Sequence, residues 1–175
     1  MRVHRNWHPD NLPIVDYSLD RAVIDWLQEF MEPHLDIVEF GSGTGTPRLT
    51  SAGHKVVSIE HDPKWVQKES ILVPVENGWY SHDHLEPIIQ KSCDLIIVDG
   101  TPTIGGRDLI FDWYKIPEVK SWFQKATVLI DDTDSELNGK PVLEKFVALG
   151  WKIIFEGLNS SPLLVVSHSL PHPSN

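Results

Sequence analysis

Apolar residues recur along this chain at two spacings, and each switch from one to the other marks an element boundary. Leu19-Asp20 opens a helical stretch in which Ala22, Val23, Trp26, Leu27 and Phe30 follow i, i+3, i+4 spacing, and Pro33 stops it. Ile37-Val38-Glu39-Phe40 then reads as a short strand ended by glycines. Lys55 to Glu60 is a second β-like run, and Pro63 to Lys68 suits a short helix after it. Ser70 to Val75 is a third strand, placed at an edge by Pro74. Leu85 to Lys91 suits a helix, and Asp94-Leu95-Ile96-Ile97-Val98-Asp99 is a fourth strand, apolar between its two acids. A helical connection over 107–124, broken near Pro117, leads to the fifth strand, Thr127 to Asp131. A helix from Pro141 to Leu149 precedes two closing strands, Trp151 to Phe155 and Leu163 to Ser167.

Continuous apolar strands are buried on both faces, and strands separated by helices imply right-handed parallel crossovers. The link between the closing pair is too short for a crossover, so that pair is antiparallel. The expected fold is α/β: an open, doubly wound, mostly parallel sheet of seven strands, helices on both faces, with the seventh strand antiparallel. Its length of 175 residues suits one such domain. The expected division is an N-terminal extension or lid over 1–19 (with His4, Trp7, His8 and Tyr17), a single domain over 20–168, and a flexible tail over 169–175.

Charge and cysteine content narrow the class. With 15 Lys+Arg against 25 Asp+Glu the formal charge is −10, which repels a phosphate backbone and argues against nucleic-acid partners. No apolar run approaches a membrane span, and the first residues carry no secretory pattern. The single cysteine, Cys93, opens a buried strand and reads as core; the expected location is a reducing one, the cytoplasm. A monomer or homodimer is expected.

The first strand ends in Glu39-Phe40-Gly41-Ser42-Gly43-Thr44-Gly45. Glycines let a ligand lie against bare backbone whose N–H groups are free to bond it. A ligand-free tight turn is the plain alternative. Position favours the ligand, because the turn sits at the first strand-to-helix junction and the second strand ends in Glu60, whose carboxylate suits a ribose diol. The G-x-G-x-x-G spacing of dinucleotide sites is absent, since Thr46 or Arg48 stands at the third glycine position.

An acidic residue followed by G-x-G-x-G resembles the first motif of the class I S-adenosylmethionine-dependent methyltransferases, and the likeness in element order runs over residues 20–168. It implies a Rossmann-like sheet of order 3-2-1-4-5-7-6. It also implies that Glu39 and the backbone of Gly41, Ser42, Gly43, Thr44 and Gly45 hold the methionine part of the cofactor. Glu60 would take the ribose hydroxyls, flanked by His61 or Asp62. Glu76-Asn77-Gly78-Trp79-Tyr80 resembles the adenine-contacting segment, with Asn77 bonding the base and Trp79 stacking on it.

The fourth strand leads into Asp99 and the fifth into Asp131-Asp132. Neighbouring parallel strands bring these ends together, and clustered carboxylates repel unless they share a cation or a proton. The arrangement is similar to the catechol O-methyltransferase group, which implies Mg²⁺ held by Asp99, Asp131 and Asp132; here an acid stands where that group has an amide. The metal-free alternative leaves Asp99 or a nearby histidine as general base, with Asp131 capping the next turn. Val98-Asp99-Gly100-Thr101-Pro102, with Gly105-Gly106-Arg107, also resembles sugar O-methyltransferases, which implies Arg107 as a clamp for a substrate carboxylate. Pairing of Arg107 with Asp108 or Asp112 on its own helix is the alternative. The D/N-P-P-Y signature of base N-methyltransferases is absent.

Among the remaining residues, Trp26, Trp65, Trp122 and Trp151 suit packing between helices and sheet. Trp7 and Trp113 are freer for substrate, and His82 or His84 suits the cleft. The expectation is a methyltransferase that O-methylates a small molecule or sugar, with Asp99, Asp131 and Arg107 catalytic. Aminopropyl transfer and a catalytically silent nucleoside-binding module are the alternatives.

Overall fold

The computed structural model describes residues 27, 34–85, 88, 93–100, 106–133, 136–156 and 164–167. The expected extension over 1–19, the tail over 169–175 and the turn between the last two strands lie outside them, as do most of the expected helices over 20–32 and 85–91. Leu27 and Ile88, which those helices contain, are helical and buried.

Nine strands are described. β1 (Asp36–Phe40), β2 (Lys55–Glu60) and β3 (Ser70–Leu72) are followed by a hairpin of β4 (Val75–Glu76) and β5 (Trp79–Tyr80). β6 (Leu95–Val98), β7 (Thr127–Ile130), β8 (Lys152–Glu156) and β9 (Leu164–Ser167) complete the main sheet. Its order is β3-β2-β1-β6-β7-β9-β8. The first five strands in that order pair in parallel, while β9 runs antiparallel to both β7 and β8. Four α-helices are described from end to end, α1 (Gly45–Ser51), α2 (Ile110–Tyr114), α3 (Pro117–Lys125) and α4 (Gly139–Ala148), with single 3₁₀ turns at His82–His84 and Arg107–Leu109. All four side chains of β6 are wholly buried, as a central strand covered on both faces must be.

Two local expectations change, and a third, the break near Pro117, holds. Residues 63–68 form turns rather than a helix. The Asp62 carboxylate accepts the Lys64 N–H at 2.9 Å and the Asp62 carbonyl accepts the Trp65 N–H at 3.0 Å, so turn chemistry wins over a weak helical pattern. With no helix there to press it down, Trp65 stays exposed, unlike the buried Trp122 and Trp151. The third strand stops pairing at Leu72, and Val75-Glu76 turns away into the β4–β5 hairpin. Asn77 and Gly78 (φ +54° and +89°) make its two-residue turn, the left-handed pair that a tight hairpin requires. The helical connection divides ahead of Pro117, which takes the first position of α3, where its missing N–H costs nothing.

Register positions the site. Phe40 lies beside Ile59 on one side and Val98 on the other, and Val98 lies beside Ile130. The next residues, Gly41, Glu60, Asp99 and Asp131, therefore share one carboxyl edge. Gly41 (φ +91°) and Gly100 meet there so closely that a Cβ on Gly100 would stand 2.4 Å from the Gly41 Cα. Among the described residues no helix is long and apolar enough to cross a membrane.

Candidate functional site

The glycine turn is held from below. Glu39, on β1, is 1% exposed, and its Oε2 accepts the Thr46 hydroxyl at 2.6 Å. Thr46 Oγ1 also faces the Gly43 N–H at 3.4 Å, so the acid reaches the turn through an intermediary. Burial pushes the Glu39 carboxyl up to about 7, against the pull of the Thr46 and Ser58 hydroxyls. Glu39 is thus enclosed within the fold, a correction to the expectation that it grips ligand directly. The Thr44 Oγ1 is buried without a partner among the described residues.

Glu60 is already well bonded. Its Oε1 accepts the backbone N–H of His61 at 2.7 Å and of Asp62 at 2.8 Å, with His61 Nδ1 2.9 Å away. Its Oε2 accepts the Ser42 N–H at 2.9 Å, a bond across the crevice from the glycine turn. The Ser42 hydroxyl donates to the Trp65 carbonyl at 2.5 Å and ties the same two loops. A diol would therefore find room at Oε2.

Asp99, Asp131 and Asp132 do converge, and a cation lies among them: the Arg107 guanidinium. Arg107 is 2% exposed. Its Nη1 donates to the Asp131 carbonyl at 2.7 Å and its Nη2 to the Asp99 carbonyl, and Nη2 also pairs with Asp132 Oδ2 at 3.2 Å. The left-handed backbone of Asp132 (φ +53°) belongs to this turn. Both Nη atoms are taken up by the protein itself, while Nε is buried without a partner among the described residues. Asp108 and Asp112 instead pair with Lys145 and Lys115.

Burial and the neighbouring Asp131 raise the Asp99 carboxyl well above the usual range, and burial raises Asp131 as well. Buried side by side, the two carboxyls disfavour carrying two negative charges at once. Among the described residues no group of three His, Cys, Asp or Glu side chains is arranged to hold a metal ion. The three aspartates do not fit Mg²⁺ as a ligand set: Arg107 holds the Asp99 and Asp131 carbonyls and pairs with Asp132 Oδ2 at 3.2 Å in the space between them.

An aromatic wall closes the other side; Trp79 and Trp113 are named as ligand contacts from the sequence, whereas Tyr80 is given no role of its own. Tyr80 is 3% exposed, and burial together with the Glu60 charge pushes its phenol far up. Its hydroxyl has no partner among the described residues although Glu39, Glu60, Asp99 and Arg107 all act on it. Trp79 packs against Phe40 at 5.8 Å and Tyr80 at 5.2 Å, and Trp113 meets Phe40 edge-on at 5.4 Å. The expected stacking surface on Trp79 is thus largely used in packing. Beyond this wall lies a cavity of about 270 Å³, lined in part by Asn77, Trp79, His82 and Trp113. The Asn77-Gly78 pair was the local signal for the hairpin that builds it.

No protein-family model and no curated protein matches this chain. Among solved structures it is similar to a methyltransferase from Pyrococcus furiosus, at 15% identity over 83% of this chain and 80% of the other, with a TM-score of 0.51. It is also similar to the METTL16 MTase domain, at 15% identity over 84% of this chain and 66% of that one, with a TM-score of 0.52. At that identity the likeness speaks for architecture alone. The chain has the Rossmann-like α/β fold of the class I methyltransferases.

Proposed function

We propose that this protein is an S-adenosylmethionine-dependent methyltransferase that O-methylates a small molecule or sugar. One observation carries the reading. At the carboxyl edge of a methyltransferase-type sheet, the glycine turn and Glu60 face each other across a 2.9 Å hydrogen bond, beside a buried tyrosine hydroxyl that lacks a partner among the described residues. The residues fit the cofactor. Thr44 Oγ1 and Tyr80 OH offer unused polar atoms, and Glu60 Oε2 has an acceptor position left for one ribose hydroxyl. In this reading the backbone of Gly41–Gly45 holds the amino-acid end, Glu39 positions that turn through Thr46, and His61 and Asn77 border the nucleoside.

When bound, the cofactor supplies a methyl group on a sulfonium, already activated for transfer. The chain's part is to orient the acceptor and take its proton. Asp131 is 8% exposed and burial raises its carboxyl, so in this reading it is the group that takes the acceptor's proton. Arg107 is a positioning residue that keeps both strand ends in place. No step is routed through Mg²⁺, which the aspartates do not fit.

Calorimetry with S-adenosylmethionine, S-adenosylhomocysteine and NAD tests the reading. Binding of both adenosyl compounds at a single site and no response to NAD are expected. Binding of NAD alone would overturn it. An acceptor screen read by mass spectrometry for one added methylene then tests catalysis, and adenosyl binding with no turnover across hydroxyl acceptors would identify a silent binding module.

A further inference from the structure

Between the first two glycines of the turn, the G-x-G-x-G pattern leaves position 42 open to any side chain, and this chain places a serine there. Ser42 reaches across the crevice twice. Its N–H donates to Glu60 Oε2 at 2.9 Å, and its hydroxyl donates to the Trp65 carbonyl at 2.5 Å while lying 3.5 Å from the same Glu60 oxygen. One residue of the turn therefore touches both the acid at the end of β2 and the segment that follows it.

That segment, 61–69, is a strap without a helix. Pro63, Lys64, Trp65 and Val66 are exposed, so little apolar burial presses its middle against the sheet. Polar bonds run through it instead. Gln67 Nε2 donates to the Trp65 carbonyl at 3.2 Å, and the Gln67 N–H and carbonyl close a turn with Ser70. The first two residues of the strap, His61 and Asp62, donate their N–H groups to Glu60 Oε1 at 2.7 and 2.8 Å. The carboxylate is thus bonded to the strap on one oxygen and to the glycine turn on the other, and its angle follows the spacing of those two loops. The Ser42 hydroxyl spans that spacing, because it joins the turn to the middle of the strap.

We infer that Ser42 is a positioning residue: its hydroxyl pins the 61–69 strap to the glycine turn and so holds the open acceptor position of Glu60 Oε2 toward a nucleoside hydroxyl. The nucleoside rests on the methyltransferase reading; the pinned strap rests on the hydrogen bonds alone. Ser42→Ala isolates the hydroxyl, since the 2.9 Å bond from the backbone N–H needs no side chain. Loss of one neutral hydrogen bond changes an equilibrium by about two- to tenfold.

Two measurements on the full chain test the inference. In the ligand-free protein, amide hydrogen exchange at His61 and Asp62 should be about two- to tenfold faster in S42A, while exchange in β6 is unchanged. Calorimetry then compares S-adenosylhomocysteine with an analogue lacking both ribose hydroxyls, which offers Glu60 nothing to hold. S42A should weaken S-adenosylhomocysteine about two- to tenfold and leave the analogue's affinity unchanged, a split that general loosening of the site would not produce. Q67A removes the strap's internal donor to the same carbonyl and should keep the parent's preference for the ribose. Unchanged exchange at His61 and Asp62 in S42A overturns the inference, as does equal weakening of both compounds or loss of the ribose preference in Q67A. If S-adenosylhomocysteine binds the parent and S42A equally well, the inference fails and the methyltransferase reading stands. If the parent binds no adenosyl compound, the methyltransferase reading fails, and exchange at His61 and Asp62 still decides whether the strap is pinned.

Discussion

Replacing Arg107 with methionine separates a structural guanidinium from a substrate clamp. The side chain is 2% exposed and donates to two backbone carbonyls, those of Asp99 and Asp131, at the ends of adjacent strands. Each hydrogen bond from a charged donor contributes about 1.5–3 kcal/mol, and its loss leaves a partly or wholly buried carbonyl unsatisfied. The third partner, Asp132, is 39% exposed at its side chain and regains water, so that pair adds under about 1 kcal/mol. Arg107→Met should therefore cost about 3–5 kcal/mol, the range for breaking a buried ionic contact by removing one partner. For a chain of this size that is a Tm lowered by roughly 6–20 °C. Arg107→Lys brings one ammonium where a planar fork spans several acceptors, and should recover less than half of the loss. Urea unfolding at constant m-value measures it, with S-adenosylhomocysteine affinity recorded on whatever folds. If Arg107→Met leaves stability within about 0.5 kcal/mol of the parent, the range of an ordinary surface change, the structural reading of the guanidinium is wrong. A raised KM at unchanged stability would restore the substrate role.

Other measurements probe the same edge. Glu39 titrates near pH 7 in the folded chain and near 4.5 unfolded, so the folded state holds the extra proton between those values. Its contribution is fully present below about pH 4.5 and is lost as pH rises to 7, an effect of about 3 kcal/mol; urea midpoints at pH 5 and pH 8 should converge in Glu39→Gln, and an unchanged difference would refute this. Gly100→Ala places a Cβ 2.4 Å from the Gly41 Cα, against backbone that cannot swing aside, and should cost about 1–3 kcal/mol while weakening S-adenosylhomocysteine binding; thermal melting at parental temperature would show that the two strand ends are not in contact. Tyr80→Phe removes a hydroxyl that has no partner among the described residues, so stability should hold or rise while calorimetry shows adenosyl affinity falling up to about tenfold; a destabilised protein with intact affinity would place that hydroxyl's partner inside the protein.

The carboxyl edge of the sheet was legible in the chain because strand burial and strand endings are local properties. Runs such as Leu95 to Val98 are apolar without alternation, which demands cover on both faces and hence parallel crossovers. Once the strands run parallel, the residue after each one falls on the same edge, so Gly41, Glu60, Asp99 and Asp131 could be named together before any coordinate. The Asn77-Gly78 turn was equally local, but the β-like run from Ser70 to Val75 continued across Pro74 and hid the change of partner.

What the packed molecule alone decided is the state of those residues. Arg107 reads as a surface cation at the start of a helix, yet its guanidinium crosses to carbonyls 8 and 24 residues away, a pairing no local pattern encodes. The same closure buries Asp99 and Asp131 side by side, which raises both carboxyls, and leaves the Tyr80 hydroxyl buried without a partner among the described residues. Strand positions and their two-sided burial follow from hydrophobic periodicity, which a chain carries residue by residue, whereas the order of the strands was implied by the family resemblance alone. Protonation and hydrogen-bond partners depend on how much water remains around each group, and that is set only when all the layers have closed.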